Sequence, residues 1–128
     1  MSLEAAANSF LRTINPRSYP VRFPASIAYP AIKFNLSGER EKSRRLDGGG
    51  LVSGPADMDI HVFDKSYLTA KNMARQVATA INALSTPQAW HGLNIHSAKC
   101  TDIRDLPFEQ DENLYHVVVE ITINLKEA

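Results

Sequence analysis

The chain has 128 residues, a formal net charge of zero, 44% hydrophobic residues and one cysteine, Cys100. These values suit a single cytoplasmic domain with one packed core. They exclude an internal disulfide framework and a cysteine-built zinc cluster, a global field that draws the chain to nucleic acid, and, with no apolar run near ~20 residues, a membrane-spanning helix.

In chain order, Leu3, Ala7, Phe10, Leu11 and Ile14 recur at three- and four-residue spacing, which predicts a helix. It should end at Asn15, because the residue before Pro16 is pushed out of helical geometry. Residues 16–30 hold Pro16, Pro20, Pro24 and Pro30 among Tyr19, Val21, Phe23, Ile27 and Tyr29. Such a segment is too proline-rich for a central strand and too apolar for a bare linker, so an extended connector lying against the domain is expected.

Two strands should follow. Ile32, Phe34 and Leu36 alternate with Lys33, Asn35 and Ser37, and Ala56, Met58, Ile60 and Val62 alternate with Asp57, Asp59 and His61. Period-two alternation places one face of each strand on the core and the other on water or a partner. The two are expected to form a hairpin. At its tip stands a charged, glycine-rich arm, about residues 38–54, in which Arg40, Lys42, Arg44 and Arg45 are interspersed with Glu39, Glu41 and Asp47 and followed by Gly48, Gly49 and Gly50. A segment so poor in apolar residues has little to bury within its own domain.

Tyr67, Ala70, Ala74, Val77, Ile81 and Leu84 form the apolar stripe of a second helix, with Asp64 or Ser66 as its N-cap and Ser85–Pro87 as its stop. The last third reads as two strands. One runs from about Leu93 to Ile103, with a bulge between Ile95 and Ala98, where the apolar parity slips. A loop over residues 104–113 is expected next. The final strand sets Tyr115, Val117, Val119, Ile121, Ile123 and Leu125 on one face and His116, Val118, Glu120, Thr122 and Asn124 on the other. The predicted fold is therefore one α+β domain, residues 1–128, of order α-β-β-α-β-β: two layers, a mainly antiparallel four-stranded sheet with both helices on one face.

No pattern signals catalysis. Gly48–Gly50 lacks the lysine and helix of a phosphate-cradling loop, and no serine sits in a nucleophile elbow. Asp57, Asp59 and His61 share one strand face at steps of about 7 Å and could hold a divalent ion, but any half-solvated strand yields that spacing. They are read as a polar interface face together with Glu120. His116 and Glu120, four strand residues apart and so roughly 13 Å distant, cannot share one ion. His91 and His96 are read as polar packing, and Cys100 as a small core residue. Within the arm, Arg40, Lys42, Arg44 and Arg45 exceed the acids by one, too weak a bias for a nucleic-acid clamp. They are read as a solvated loop or as a segment that orders against a neighbouring copy. No catalytic, cofactor or metal residue is assigned. A small metal-binding or nucleic-acid-binding domain is the alternative from another class.

Three stretches, PRSYPVRFPASIAYPAIKFNLSGE, ADMDIHVFDKSYLTAKNMARQVATAINAL and DIRDLPFEQDENLYHVVVEITINL, stand in an order that resembles the tail-completion, or tail terminator, proteins of long-tailed bacteriophages and prophages. The first has a tyrosine-proline pair leading to a strand that ends in Ser-Gly. The second runs from an alternating strand into an alanine-rich helix. The third passes from an acidic loop to a tyrosine-histidine pair that opens a long strand. The resemblance covers about four-fifths of the chain and rests on this ordered combination, none of it catalytic. It implies a structural protein without cofactor or enzymatic turnover, whose copies form a ring, commonly a hexamer. The ring caps the tail tube, ends tube growth and offers the surface where the head docks. The implied partners are further copies of itself, the tail tube protein and the head-tail connector, with DNA only in transit and no membrane. The implied setting is the host cytoplasm during assembly and then the virion tail. A head-tail connector or tube subunit is the alternative within the same machine.

Overall fold

A computed structural model describes residues 3–21, 23–24, 27–39, 43–44, 51–110 and 112–125, the side chains of 38–39, 43–44 and 51–53 excepted. Its elements are α1 (Leu3–Ile14), β1 (Ser18–Pro20), β2 (Ala31–Glu39), β3 (Ser43–Arg44), β4 (Leu51–Asp64), α2 (Tyr67–Asn82), β5 (Gln88–Trp90), β6 (Leu93–Glu109) and β7 (Leu114–Leu125).

Both helices form where the apolar spacing places them. α1 buries Leu3, Ala6, Ala7, Phe10 and Leu11. α2 buries Ala70, Ala74, Val77, Ala78 and Ile81. Ser66 is the N-cap of α2: its hydroxyl accepts from the Thr69 amide, and Asp64 in turn accepts from the Ser66 amide at 3.0 Å. The capping role that the sequence left open between the two residues is thus shared.

The sheet corrects the expected architecture. Six strands lie in the order β1-β2-β4-β7-β6-β5, and β3 pairs only with β4. The sheet is mixed, because β1 runs parallel to β2, and it curls toward a half-barrel. A four-stranded antiparallel sheet in the order α-β-β-α-β-β is therefore wrong. The extra strands are short and irregular. β1 lies within the proline-rich connector, and β5 is three residues long, too brief to show alternation. β5 joins β6 through His91 and Gly92, whose φ angles of 48° and 88° form the tight hairpin turn that suits the sheet's twist.

The acidic loop expected at residues 104–113 is also corrected. β6 stays paired with β7 as far as Glu109, opposite Leu114, so the connection is short. The expected bulge is present, with the register shifting between Ile95 and Ser97 and twice more toward Glu109. Such shifts bend a strand and increase its twist.

β2 and β4 do form the antiparallel hairpin. Of the arm, Gly38 and Glu39 continue that pairing, and Ser43 and Arg44 pair with Ser53 and Leu51. Arg40, Lys42, Arg45 and the three glycines lie outside the described residues. The core sits between the helices and one sheet face, where Ile32, Phe34, Met58, Ile60, Val62, Val117, Val119, Ile121 and Ile123 are all buried against both helices.

Candidate functional site

Strand alternation turns the other sheet face away from α1 and α2, so among the described residues no helix covers it. Register builds that face row by row: Lys33 opposes His61, Asn35 opposes Asp59, Asp59 opposes Glu120, and Asp57 opposes Thr122. The four residues expected on one polar face, Asp57, Asp59, His61 and Glu120, therefore do share it.

Each of three rows has its own chemistry. In the first, the buried Thr122 donates its hydroxyl to Asp57 Oδ1 at 2.7 Å, while Asn124 donates to Ser97 Oγ at 3.2 Å. In the second, Arg104 of β6 donates to the Glu120 carboxylate and lies 3.5 Å from Asp102. These rows border a depression of about 400 Å³ lined by Ser37, Asp57, Asp59, Thr101, Glu120 and Thr122. Its carboxylates spread along two strands, and no imidazole lines it. Among the described residues no group of three or more potential ligands is placed to hold a metal ion.

The third row is aromatic, and sequence reasoning missed it. His61 Nδ1 and His116 Nε2 are 2.8 Å apart, sharing one hydrogen between them. His116 stacks on Phe63 with centroids 4.0 Å apart and planes 24° from parallel. Phe63 meets Phe23 edge-on, and the Lys33 ammonium sits 5.3 Å from the Phe63 centroid and 5.4 Å from that of Phe23. Val118 is buried here between its register partners His61 and Arg104, with no helix above it. Both imidazoles are held neutral. Burial lowers the His116 pKa to about 4, helped by His61 and Lys33. Burial also lowers that of His61, and Lys33 lowers it further. The sequence shows both histidines at polar parity, but only the register of β4 on β7 makes them diagonal neighbours.

The remaining candidates have ordinary surroundings. His91 accepts from or donates to Ser9 Oγ at 3.1 Å and packs edge-on to Phe10 and Trp90. Cys100 is half-buried, and burial pushes its thiol pKa up, away from a nucleophile's range. Its amide donates to Asn82 Oδ1 at 2.8 Å, which ties the end of α2 to β6. No helix of the described residues is long and apolar enough to cross a membrane.

No family model matches the chain, and neither does any curated protein. Solved structures do match its fold. One is a chain in the virion of a native gene transfer agent particle, 12% identical, with a TM-score of 0.59, spanning 97% of this chain and 85% of that one. A second solved chain, also 12% identical, is matched over 98% of its length by the whole of this one at a TM-score of 0.57. At such identity what is held in common is the fold.

Proposed function

We propose that this chain is a structural subunit of a phage-type particle, and that its copies close into a ring on the end of the tail tube. The observation that carries the reading is the match of fold, over 97% of this chain and 85% of the other, to a chain in the virion of a gene transfer agent particle. The ordered resemblance to tail-completion proteins narrows that reading to the tube terminus. The open polar face suits a subunit whose work is contact: its charged groups are held in cross-strand pairs that a partner surface can meet without leaving them unpaired. In this role the ring ends tube growth and presents a surface to the head-tail connector, and DNA passes through its bore. The chain's partners are further copies of itself, the tube protein and the connector, and no reaction is catalysed.

Deleting the gene from its phage and imaging the particles tests the proposal. Loss of the terminator should give tube of uncontrolled length and filled heads without tails, and expression of the chain in trans should restore both. Tails of normal length that merely fail to join heads would make it a connector, and absence of tube altogether would make it a tube subunit.

A further inference from the structure

Several carboxylates of the sheet are already engaged. Arg104 meets Glu120, Lys71 meets Asp105, and Thr122 donates to Asp57. The turn from β6 into β7 departs from that pattern. Among the described residues, no lysine or arginine pairs with Glu109 or Glu112. Glu109 lies 4.0 Å from His116 Nδ1, but that imidazole is neutral at pH 7 and offers no charge. Burial raises the pKa of Tyr29, and the charges of Glu112 and Glu109 raise it further, so both carboxylates stand near one hydroxyl.

The same end carries three of the four large hydrophobic side chains exposed among the described residues: Tyr67 at 42%, Leu68 at 65% and Phe108 at 38%. Tyr115 joins two of them, its ring 5.6 Å from Tyr67 and 4.7 Å from Phe108. Tyr115 also packs against the core, and the Tyr67 hydroxyl donates to Asp105 Oδ2 at 2.8 Å. Lys71 holds the other oxygen of that carboxylate at 2.9 Å. These contacts fix the rings before a partner arrives, so binding there orders little that was free. Phe108 lines a depression of about 490 Å³ together with Glu109, Gln110 and Glu112. Exposed aromatic rings with a polar rim are the make-up of a contact surface.

Charge selects the occupant. The same end of a second copy would set Glu109 and Glu112 against like charges, which is unfavourable. A purely apolar partner would strip water from two carboxylates and return no counter-charge. A cationic segment meets both demands: arginine and lysine stems lie on the rings while their heads reach the carboxylates. We infer that the end of the sheet where β6 turns into β7 is a docking surface for a basic segment of another protein, with an apolar side chain of that segment beside Phe108. The contact involves one copy of the chain and stands apart from ring closure.

Titrating a synthetic peptide, Arg-Leu-Arg-Leu-Arg, into the isotope-labelled full chain tests this, with amide shifts followed by NMR. The amides of Leu68, Phe108, Glu109 and Glu112 should shift and saturate. The same peptide with glutamate in place of arginine should leave them unmoved. Glu109→Gln/Glu112→Gln should weaken binding about tenfold by removing two charge contacts. Phe108→Ala should weaken it about threefold by removing one ring, and Glu120→Gln on the polar face should leave it unchanged. Amide spectra that otherwise match wild type establish that each variant folds. Shifts centred on Asp59 and Glu120 would mean general attraction to acids and overturn the site. So would no shift in large peptide excess, or a Glu109→Gln/Glu112→Gln chain that binds like wild type. Amides at this end that move when the chain alone is diluted would give the surface to a second copy and overturn the basic partner.

Discussion

Acidification should destabilise this fold through one pair of side chains, and the size of the effect follows from the site. The His116 side chain is 11% exposed, donates to or accepts from His61, and has a pKa of about 4 in the folded chain, against about 6.5 when unfolded. The folded state therefore disfavours the proton that the unfolded state accepts. Stability is full above pH 6.5, falls as pH drops through the window, and levels off near 4. Between pH 7 and 5 the two pKa values imply a loss of about 2 kcal/mol, assigned to the coupled pair rather than to either ring. Unfolded carboxylates titrate lower, near 4, and so contribute little in that window. Urea denaturation of the wild type at steps of pH should reveal this slope. His116→Phe keeps a flat ring on Phe63 and removes the titration, so its stability should be nearly level from pH 7 to 5. If wild type and variant lose stability in parallel, the histidine pair does not govern the acid response and the reasoning fails.

Lys33 depresses both imidazoles, so Lys33→Met should move their titration toward pH 6.5 and narrow the acid-sensitive window. Histidine ring resonances followed by NMR across pH give that shift directly, and unchanged midpoints would refute the electrostatic role of the ammonium. Phe34, 1% exposed between the sheet and the helices, should cost about 3–5 kcal/mol on truncation to alanine, read as a lower urea midpoint. A cost under about 1 kcal/mol would mean that the core around it collapses to fill the space. Cys100 should react slowly with thiol reagents at neutral pH, because burial raises its pKa, and should quicken as pH rises.

Much of the helical layer was legible because each helix carries its own signal. The stripe from Tyr67 to Leu84 and the cap at Ser66 need no knowledge of what lies across from them. The core-facing parity of β4 and β7 was legible for the same reason, since every second residue is buried. The far half of β6 gave no such signal. From Arg104 to Glu109 it buries no residue fully on either face, being bounded by β7 on one side only, so its sequence reads as an acidic loop. β1 and β5 are three residues each and held by their neighbours rather than by propensity. Of the polar face, Asp57, Asp59, His61 and Glu120 were legible as a set and Thr122 and His116 as sharing the outer parity of the last strand, but the pairing of Thr122 with Asp57, His116 with His61 and Arg104 with Glu120 was not.

By itself, then, the amino-acid order determined which residues turn inward, where the helices begin and that β6 must bulge near Ile95. These are local properties, carried by spacing along the chain. Tertiary structure alone decided which strand lies beside which, that His61 meets His116 across two strands 55 residues apart in sequence, and that the β3 pairing and the turn from β6 to β7 lie at opposite ends of β4. Register is a relation between segments. It is set by how bulges, short edge strands and both helices fit together around one core, and no single segment contains it.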